Sequence, residues 1–434
     1  MALSLPVALS LSKGPGETSL EYTRPHRPLP VRLINAACRL GLRAGLPGAD
    51  LLETSLLSAA CRKTGLWDFG DLRFRKPLKV LLASMQDEAR LHPAGRIMAR
   101  HNLVRILSNR LRMEDAITRH PGILAADMQD PVVLTGLQRT GTTLLHRLLA
   151  EDPSFRVLAS WEAVNPAPWP GTTNLRKDPR IRAARFAQRS VGYLSPDFSA
   201  IHPIEAESPE EDVLLLEFAF LSTVPEAMMR VPAYSRWLEE EGDNERAYRY
   251  LEKILKLLLW QRSAERWLLK SPHHLEHLDV LLDVFPDARI IQVHRDPVVS
   301  LASYCSMLTH AQHIFSDEVD PHEVARHWSA KRARLVERAM ATRERVGADR
   351  FIDVQYVDLV SDPIEQVRRI YAFLGRSLGA GTEARMHAYM RENPKHKHGK
   401  HRYGLEHFGL DRETEEERFS RYRARFHIPV EDGA

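Results

Sequence analysis

The chain has 434 residues, 44% of them hydrophobic and 27% charged, a composition typical of a globular protein with one large α/β domain and an added helical region. The formal net charge of +4 argues against a protein that coats nucleic acid, and it is compatible with a small anionic ligand held by a few cations. The three cysteines, Cys38, Cys61 and Cys305, are far apart and argue against a disulfide framework, so we expect a cytoplasmic protein.

The first 30 residues predict an irregular tail, because they contain five prolines and two glycines. The apolar stretch at 2–11 lacks a basic region before it and a clear cleavage site of small residues after it, so we do not interpret it as a signal peptide. No apolar run reaches the roughly 20 residues that a membrane-spanning helix needs. We therefore expect no transmembrane segment.

The pattern from residue 31 to residue 127 is helical. Leu33, Ala37 and Leu40 recur at helical spacing. A second set with this spacing contains Leu78, Leu81, Leu82 and Met85. Breaks at 68–70 and 92–95 separate the helices. We predict an all-helical N-terminal domain over 31–127, which either caps the main domain or forms a wall of its ligand pocket.

From residue 131 onward, short apolar runs alternate with helical segments. Strands are predicted at 131–135, 266–269, 289–293 and 351–357. The helices that follow strands are predicted at 142–150, 275–285 and 363–374, and helical inserts at 214–221, 247–260 and 327–343. This alternation predicts an α/β fold over residues 128–434, with a parallel sheet that helices cover on both faces.

A glycine-rich loop joins the first predicted strand to its helix. Gly136 and Gly141 are separated by four residues, and Thr142 and Thr143 follow directly. Backbone N–H groups and a helix N-terminus converge in such a loop and make it a cradle for an anion. A nucleotide triphosphatase would carry lysine at position 142, whereas here the nearby cation is Arg139. The loop therefore favours a phosphate or phosphosulfate over a magnesium-bound triphosphate.

A second candidate anion site follows the strand predicted at 289–293. Arg295 comes at the carboxyl end of that strand, where ligands bind in open parallel sheets. An Asp-Pro pair then starts a helix as its N-cap and first-turn proline. Ser300 and Ser303 share one face of this helix. A cation and a hydroxyl in this arrangement are suited to a second phosphate.

The two sites, in this order, resemble those of the sulfotransferases that use 3′-phosphoadenosine-5′-phosphosulfate (PAPS). Leu144 stands where eukaryotic cytosolic members commonly have an aromatic residue, so the chain is more similar to bacterial members. The resemblance covers about two-thirds of the chain and implies a P-loop-like fold. It implies that the 5′-phosphosulfate is bound by Arg139, Thr140, Gly141, Thr142 and Thr143. It also implies that the nucleotide's 3′-phosphate is bound by Arg295 and Ser303. A late basic loop that closes over the nucleotide offers Lys400, Arg402 and Tyr403 as further candidates.

The resemblance also implies catalytic residues on the strand predicted at 266–269. Lys270 follows this strand, where family members have a lysine that stabilises the leaving group. Cytosolic members have a histidine base two residues later, but this chain has Pro272 there. His274 or the adjacent His273 is then the substitute.

Glu162 is the other candidate for the base. It lies beyond the first helix after the loop, in the region where the protein-tyrosine branch of the family has a glutamate base. A carboxylate buried beside Trp161 would have a raised pKa and would accept a proton. We favour Glu162 over His274 as the base.

These motifs predict a sulfotransferase that moves a sulfuryl group from PAPS to a hydroxyl of a small organic acceptor and releases 3′-phosphoadenosine-5′-phosphate (PAP). Apolar inserts favour an alcohol, phenol, sterol or lipid-like acceptor, and a carbohydrate is an alternative. The histidines of the late loop lack matching cysteines or carboxylates, so we expect no metal requirement. We expect no nucleic-acid partner, and the oligomeric state, a homodimer included, stays open. The alternative functions are a P-loop kinase or NTPase and a non-catalytic nucleotide-binding protein.

Overall fold

The computed structural model describes residues 26–44, 48–128, 130–171, 178–201, 205–393 and 404–431. Most of the tail predicted at 1–30 lies outside these residues, and so does the part of the late loop that contains Lys400, Arg402 and Tyr403. Within the described ranges, no helix is both long and apolar enough to cross a bilayer.

The described strands form one parallel sheet, which confirms the predicted α/β fold class. The strands are β1 (Val132–Gly136), β2 (Phe155–Val157), β3 (Arg266–Lys270), β4 (Arg289–His294) and β5 (Phe351–Gln355). Their spatial order is β2-β3-β1-β4-β5. β1 is central and buried throughout, with Val133 paired to Leu269 on one side and to Ile290 on the other. The carboxyl end of β1 therefore lies between those of β3 and β4.

The helices fall into three groups along the chain. Before the sheet come α1 (Leu29–Arg43), α2 (Glu53–Thr64), α3 (Arg75–Asp87) and α4 (Pro93–Arg119). Between β1 and β3 come α5 (Thr142–Leu149), α6 (Ser160–Val164), α7 (Pro179–Leu194), α8 (Pro196–Ile201), α9 (Val213–Leu216), α10 (Val224–Met228), α11 (Pro232–Glu241) and α12 (Asn244–Gln261). After β3 come α13 (Leu278–Val284), α14 (Pro297–His313), α15 (Pro321–Val346), α16 (Tyr356–Ser361), α17 (Pro363–Phe373), α18 (Ala380–Glu392), α19 (Arg412–Arg418) and α20 (Ser420–Phe426).

Alternate residues of the strands feed two cores, one on each face of the sheet. Val132 and Leu134 of β1 pack with Leu145 of α5 and Val367 of α17. Val133 points the other way, into a larger cluster. This two-residue alternation is the ordinary consequence of strand geometry, and it explains why the strands read as continuous apolar runs.

The N-terminal helices belong to the larger core. Leu56, Leu78 and Leu107, from α2, α3 and α4, lie in one cluster with Leu251 and Leu255 of α12. The helical region predicted at 31–127 is therefore observed as helices that pack directly on the inserts of the α/β region. Its treatment as a separate domain stays a prediction.

Three local expectations differ from the structure. The strand predicted at 351–357 ends at Gln355, where the chain turns into α16. The helix predicted at 275–285 is a short 3-10 helix, Pro272–Glu276, followed by α13. On α1 the repeating Leu33 and Leu40 are exposed, because the helix packs on α4 through its opposite face.

Candidate active site

The loop between β1 and α5 is built around two glycines that have no room for a side chain. Gly136 has φ of +153°, and a Cβ there would lie 2.5 Å from the carbonyl oxygen of Val293. Gly141 has φ of +90°, and a Cβ there would lie 2.9 Å from a ring carbon of Tyr356. Both the backbone conformation and the close neighbours therefore require glycine.

The threonines of the loop differ in what their hydroxyls do. Thr140 is fully buried and donates to the carbonyl of Leu137 at 2.7 Å, which closes the turn internally. Thr142 opens α5 and is buried, whereas Thr143 is exposed. Thr142 and Thr143 thus lie at the N-terminus of α5, where the helix dipole favours negative charge.

Arg139 connects the loop to the helix of the second predicted site. Its backbone is in the left-handed region, with φ of +68°. Its Nε donates to the hydroxyl of Ser303 at 3.1 Å, and its Nη1 to the carbonyl of Ile201 at 3.3 Å. The structure thus brings together Arg139 and Ser303, which the sequence analysis assigned to two different phosphates.

Arg295 stands next to the same loop. Its Nη1 donates to the carbonyl of Arg139 at 3.0 Å, and its guanidinium lies 4.0 Å from the ring centroid of Tyr356. Its Nε and Nη2 donate to the carboxylate of Glu431 at 2.9–3.1 Å. The two predicted anion sites are therefore contiguous at the carboxyl ends of β1 and β4.

Arg332 of α15 is a residue of this region that the sequence analysis missed. It is fully buried, and burial lowers its pKa to about 10. Its Nη2 donates to the hydroxyl of Ser300 at 2.6 Å and its Nη1 to the carbonyl of Pro297 at 3.0 Å. Ser300, the extra candidate for phosphate binding, therefore anchors α15 to α14. One arginine within a long charged helix carries no sequence signal for this role.

Lys270 lies at the phosphate-loop edge of the sheet, as its place after β3 predicts. Its Nζ is 3.4 Å from the hydroxyl of Thr143 and makes an ion pair with Glu211. Burial and then the charge of Lys270 lower the pKa of nearby His146 to about 3, so that imidazole is neutral at physiological pH. Lys270 is only 4% exposed, while the Glu211 side chain keeps 24% of its surface. Glu211 is therefore a partly exposed acidic side chain that pairs with Lys270 next to the loop.

The surroundings of Glu162 differ from those that the sequence analysis expected for a catalytic base. Both of its carboxylate oxygens accept from Arg156, at 2.7 and 3.0 Å, and Arg262 adds a contact at 3.1 Å. One oxygen also accepts from the backbone N–H of Ala159, which caps α6. Glu162 is 1% exposed, so its carboxylate is committed to holding β2 and α6 together.

The predicted histidines are also enclosed. His274 is fully buried, with Nδ1 2.8 Å from the hydroxyl of Tyr248 and Nε2 2.9 Å from Asp212. His273 is 5% exposed, and burial holds its pKa well below the usual value. Neither ring presents a nitrogen at the phosphate loop in the way that Glu211 presents its carboxylate.

Three comparisons relate this arrangement to known proteins. A model of the sulfotransferase family matches residues 131–379. The ω-hydroxy-β-dihydromenaquinone-9 sulfotransferases Stf3 of Mycobacterium bovis and Mycobacterium tuberculosis are 29% identical over 263 residues, which is 56% of this chain and 62% of theirs. The match therefore spans less than two-thirds of these curated relatives.

Two solved structures are similar over most of the chain. The sulfotransferase STF9 from Mycobacterium avium has 31% identity and a TM-score of 0.80, and the alignment covers 89% of this chain and 99% of that one. The sulfotransferase STF1 from Mycobacterium tuberculosis H37Rv has 32% identity and a TM-score of 0.75, with coverage of 85% and 98%. Because the coverage extends well before residue 131, the similarity includes much of the N-terminal helical region.

The network around Glu162 generates a stability prediction. Glu162→Gln removes the charge opposite Arg156 while it keeps the side-chain shape. We expect the free energy of unfolding to fall by about 3 kcal/mol, since Arg156 is left as an unpaired buried charge. Urea unfolding followed by circular dichroism measures it.

Glu207→Gln is the matched control, because Glu207 pairs with Arg185 and both side chains are 56% exposed. We expect the control to change stability by less than about 0.5 kcal/mol. Unchanged stability of Glu162→Gln would contradict the structural role of this carboxylate.

Proposed function

The chain belongs to the sulfotransferase family, and on that premise we propose that it transfers a sulfuryl group from PAPS to a hydroxyl of a lipid-like acceptor and releases PAP. The observation that carries the proposal is the convergence of Arg139, Arg295 and Ser303 on one loop. Two adjacent cationic sites suit a nucleotide that carries phosphate at two positions.

The 5′-phosphosulfate is proposed to bind at the loop itself. Gly141, Thr142 and Thr143 surround the N-terminus of α5, where N–H groups and hydroxyls are available to an anion. Thr140 stabilises the turn of this loop through its hydrogen bond to the Leu137 carbonyl. Arg139 supplies a guanidinium at the rim, and its charge makes its hydrogen bonds to an anion strong.

The 3′-phosphate is proposed to bind at Arg295 and Ser303. The stack of Arg295 on Tyr356 and its bond to the Arg139 carbonyl fix the plane of the guanidinium. A guanidinium held in this way offers a planar pair of donors that matches phosphate. Lys400, Arg402 and Tyr403 of the late loop stay predictions, as they lie outside the described residues.

The transfer step needs a donor for the leaving group and a base for the acceptor. We propose that Lys270 donates a hydrogen bond to the oxygen that bridges sulfur and phosphorus, since its Nζ lies at Thr143. The acceptor oxygen forms the new bond to sulfur as the bond from sulfur to the bridging oxygen breaks. Charge stabilisation at that oxygen and alignment of the reactants supply much of the rate gain.

Glu211 is proposed to take the proton of the acceptor hydroxyl, in place of the predicted Glu162 or His274. It is the carboxylate paired with Lys270, and it keeps exposed surface. The proton passes from the acceptor oxygen to the Glu211 carboxylate and then to solvent. The positive charge of Lys270 is thus placed between the base and the departing oxygen, next to both sites of charge change.

The acceptor is proposed to be a hydroxylated lipid-like molecule. The curated relatives are named for a hydroxylated menaquinone derivative, and they match 56% of this chain. The predicted independence from a metal follows from the same charge pattern, in which Arg139, Arg295 and Lys270 offer the positive charge that a magnesium ion provides to a triphosphate.

The cofactor assignment predicts a binding pattern. Isothermal titration should show binding of PAP to the native protein and no comparable binding of ATP–Mg²⁺. Arg139→Ala and Arg295→Ala should each weaken PAP binding about 10- to 100-fold, because each removes charge-assisted hydrogen bonds. Arg421→Ala is the control, as Arg421 is 64% exposed and pairs with Glu337. Binding of ATP–Mg²⁺ without binding of PAP would replace the proposal with a kinase or NTPase.

The base assignment predicts a selective kinetic defect. With labelled PAPS and hexadecan-1-ol in detergent micelles, Glu211→Gln should lower kcat about 100-fold, since general base catalysis contributes this much or more. The Kd for PAP should stay within about twofold. Glu207→Gln, from the same segment, is the control and should keep both values. Full kcat in Glu211→Gln would rule out this role.

A further inference from the structure

Helix α1 turns its apolar side away from the protein. Leu29, Leu33 and Leu40 are 66%, 61% and 65% exposed, while Val31 and Asn35 are buried. At 100° per residue, the three leucines fall within an arc of about 40°. Large apolar side chains gathered in one exposed stripe mark an interaction surface rather than ordinary surface composition.

Arginines border this stripe. Arg32, Arg39 and Arg43 are exposed and lie along one edge of α1. Asp317 pairs with Arg39, and it also pairs with Arg27 just before the helix. The border therefore keeps a positive balance. A leucine stripe with an arginine edge is the pattern of helices that lie in the interface of an anionic bilayer.

Packed elements connect α1 to the phosphate loop. Arg27 donates to the carbonyl of Ser316, just beyond the end of α14. α8 packs on the last turns of α14 through Phe198, which lies in a cluster with Ala311 and Ile314. The other end of α8 reaches the phosphate loop, where Arg139 donates to the carbonyl of Ile201. α14 and α8 thus connect α1 to the loop.

We propose that α1 docks on the surface of an anionic lipid bilayer, with the leucines among the acyl chains and the arginines at the headgroups. The role of this docking, which is access to a lipid-like acceptor, rests on the proposed function. Its test does not depend on PAP or on turnover. Buried leucines and headgroup charge act together, so the binding depends on both.

The test is flotation of the full chain with vesicles of phosphatidylcholine alone and of phosphatidylcholine with 30% phosphatidylglycerol. We expect binding to the anionic vesicles, and a loss of at least tenfold in Leu33→Glu/Leu40→Glu. Leu124→Glu is the control. Leu124 is 45% exposed beyond the far end of α4, a 27-residue helix about 40 Å long whose first turn contacts α1.

Absence of binding to anionic vesicles would overturn the proposal, and so would equal binding by the double variant. A dimer in sedimentation velocity that the double variant abolishes would assign the stripe to a second copy of the chain instead. Circular dichroism should show native folding of both variants, since the substituted side chains are exposed.

A different observation carries a second inference, at the proposed 3′-phosphate site. Arg295 gives three hydrogen bonds to Glu431, and the backbone N–H of Glu431 donates to Asp296 at 2.9 Å. Ile428, three residues earlier, is buried and anchors the segment. A carboxylate therefore fills the planar donor pair that suits a phosphate.

We infer that Glu431 is an internal competitor for the nucleotide's 3′-phosphate. The inference rests on the proposed function, because it assumes that Arg295 meets that phosphate. When the phosphate binds, the Glu431 carboxylate leaves Arg295 and enters solvent. The native affinity for PAP is then reduced by the fraction of molecules in which Glu431 occupies the site.

Titration calorimetry of Glu431→Gln with PAP and with adenosine 5′-phosphate tests this competition. We expect PAP to bind about five- to tenfold more tightly than to the native protein, and adenosine 5′-phosphate, which lacks the 3′-phosphate, to bind equally well to both. Glu413→Gln, an exposed residue of α19, is the control and should bind PAP as the native protein does.

Unchanged or weaker PAP binding by Glu431→Gln would overturn the competition and leave the proposed function in place. No PAP binding by the native protein or by either variant would instead remove the proposed function. The two failures are therefore distinguished within one series of titrations.

Discussion

The lack of space for side chains in the loop after β1 determines where the charged groups of the site lie. A side chain at Gly136 would collide with the Val293 carbonyl, and one at Gly141 would collide with the ring of Tyr356. Within this confined loop Arg139 adopts a left-handed conformation, and its side chain reaches Ser303. The same ring of Tyr356 supports Arg295. One crowded turn thus sets the positions of both arginines.

Ion pairs and hydrogen bonds divide the ionisable groups of this region into two kinds. Some are buried and hold segments together, and others remain accessible to a ligand. Glu162 with Arg156, and Asp212 with His274, are fully enclosed and each bridges two segments. Arg332 satisfies carbonyls and a serine in the interior. Lys270 and Glu211 differ because Lys270 contacts Thr143 of the phosphate loop and the Glu211 side chain is partly exposed. Among these described groups, enclosure of the others is the reason that we propose this pair for proton and charge transfer.

The glycine spacing was enough to predict the loop, the Asp-Pro helix start to predict the position of Arg295 after β4, and the alternation of strands and helices to predict the parallel sheet. The surroundings of the predicted base were not predictable in this way. Glu162 lies in the expected region, yet Arg156 reaches it from β2, a three-residue strand with too little pattern to recognise. The end of β5 was missed because its alternating pattern runs on through Tyr356 and Val357, while the chain already turns into α16. Tertiary pairing decided the first case, and the local start of α16 decided the second.

Arginines in place of a loop lysine also bear on which anions suit the proposed site. A lysine ammonium is a point charge that follows a triphosphate and its metal, whereas a guanidinium is a flat pair of donors that fits a phosphate or a carboxylate equally well. Arg295, held flat by Tyr356, cannot discriminate between the two by geometry alone. In the competition that we propose, the Glu431 carboxylate and a phosphate share this site. The strength of that competition depends on how firmly Ile428 and the preceding α20 hold the segment in place. In the proposed function, selectivity for the nucleotide therefore comes from the phosphate loop, because the Glu431 carboxylate occupies only the site at Arg295.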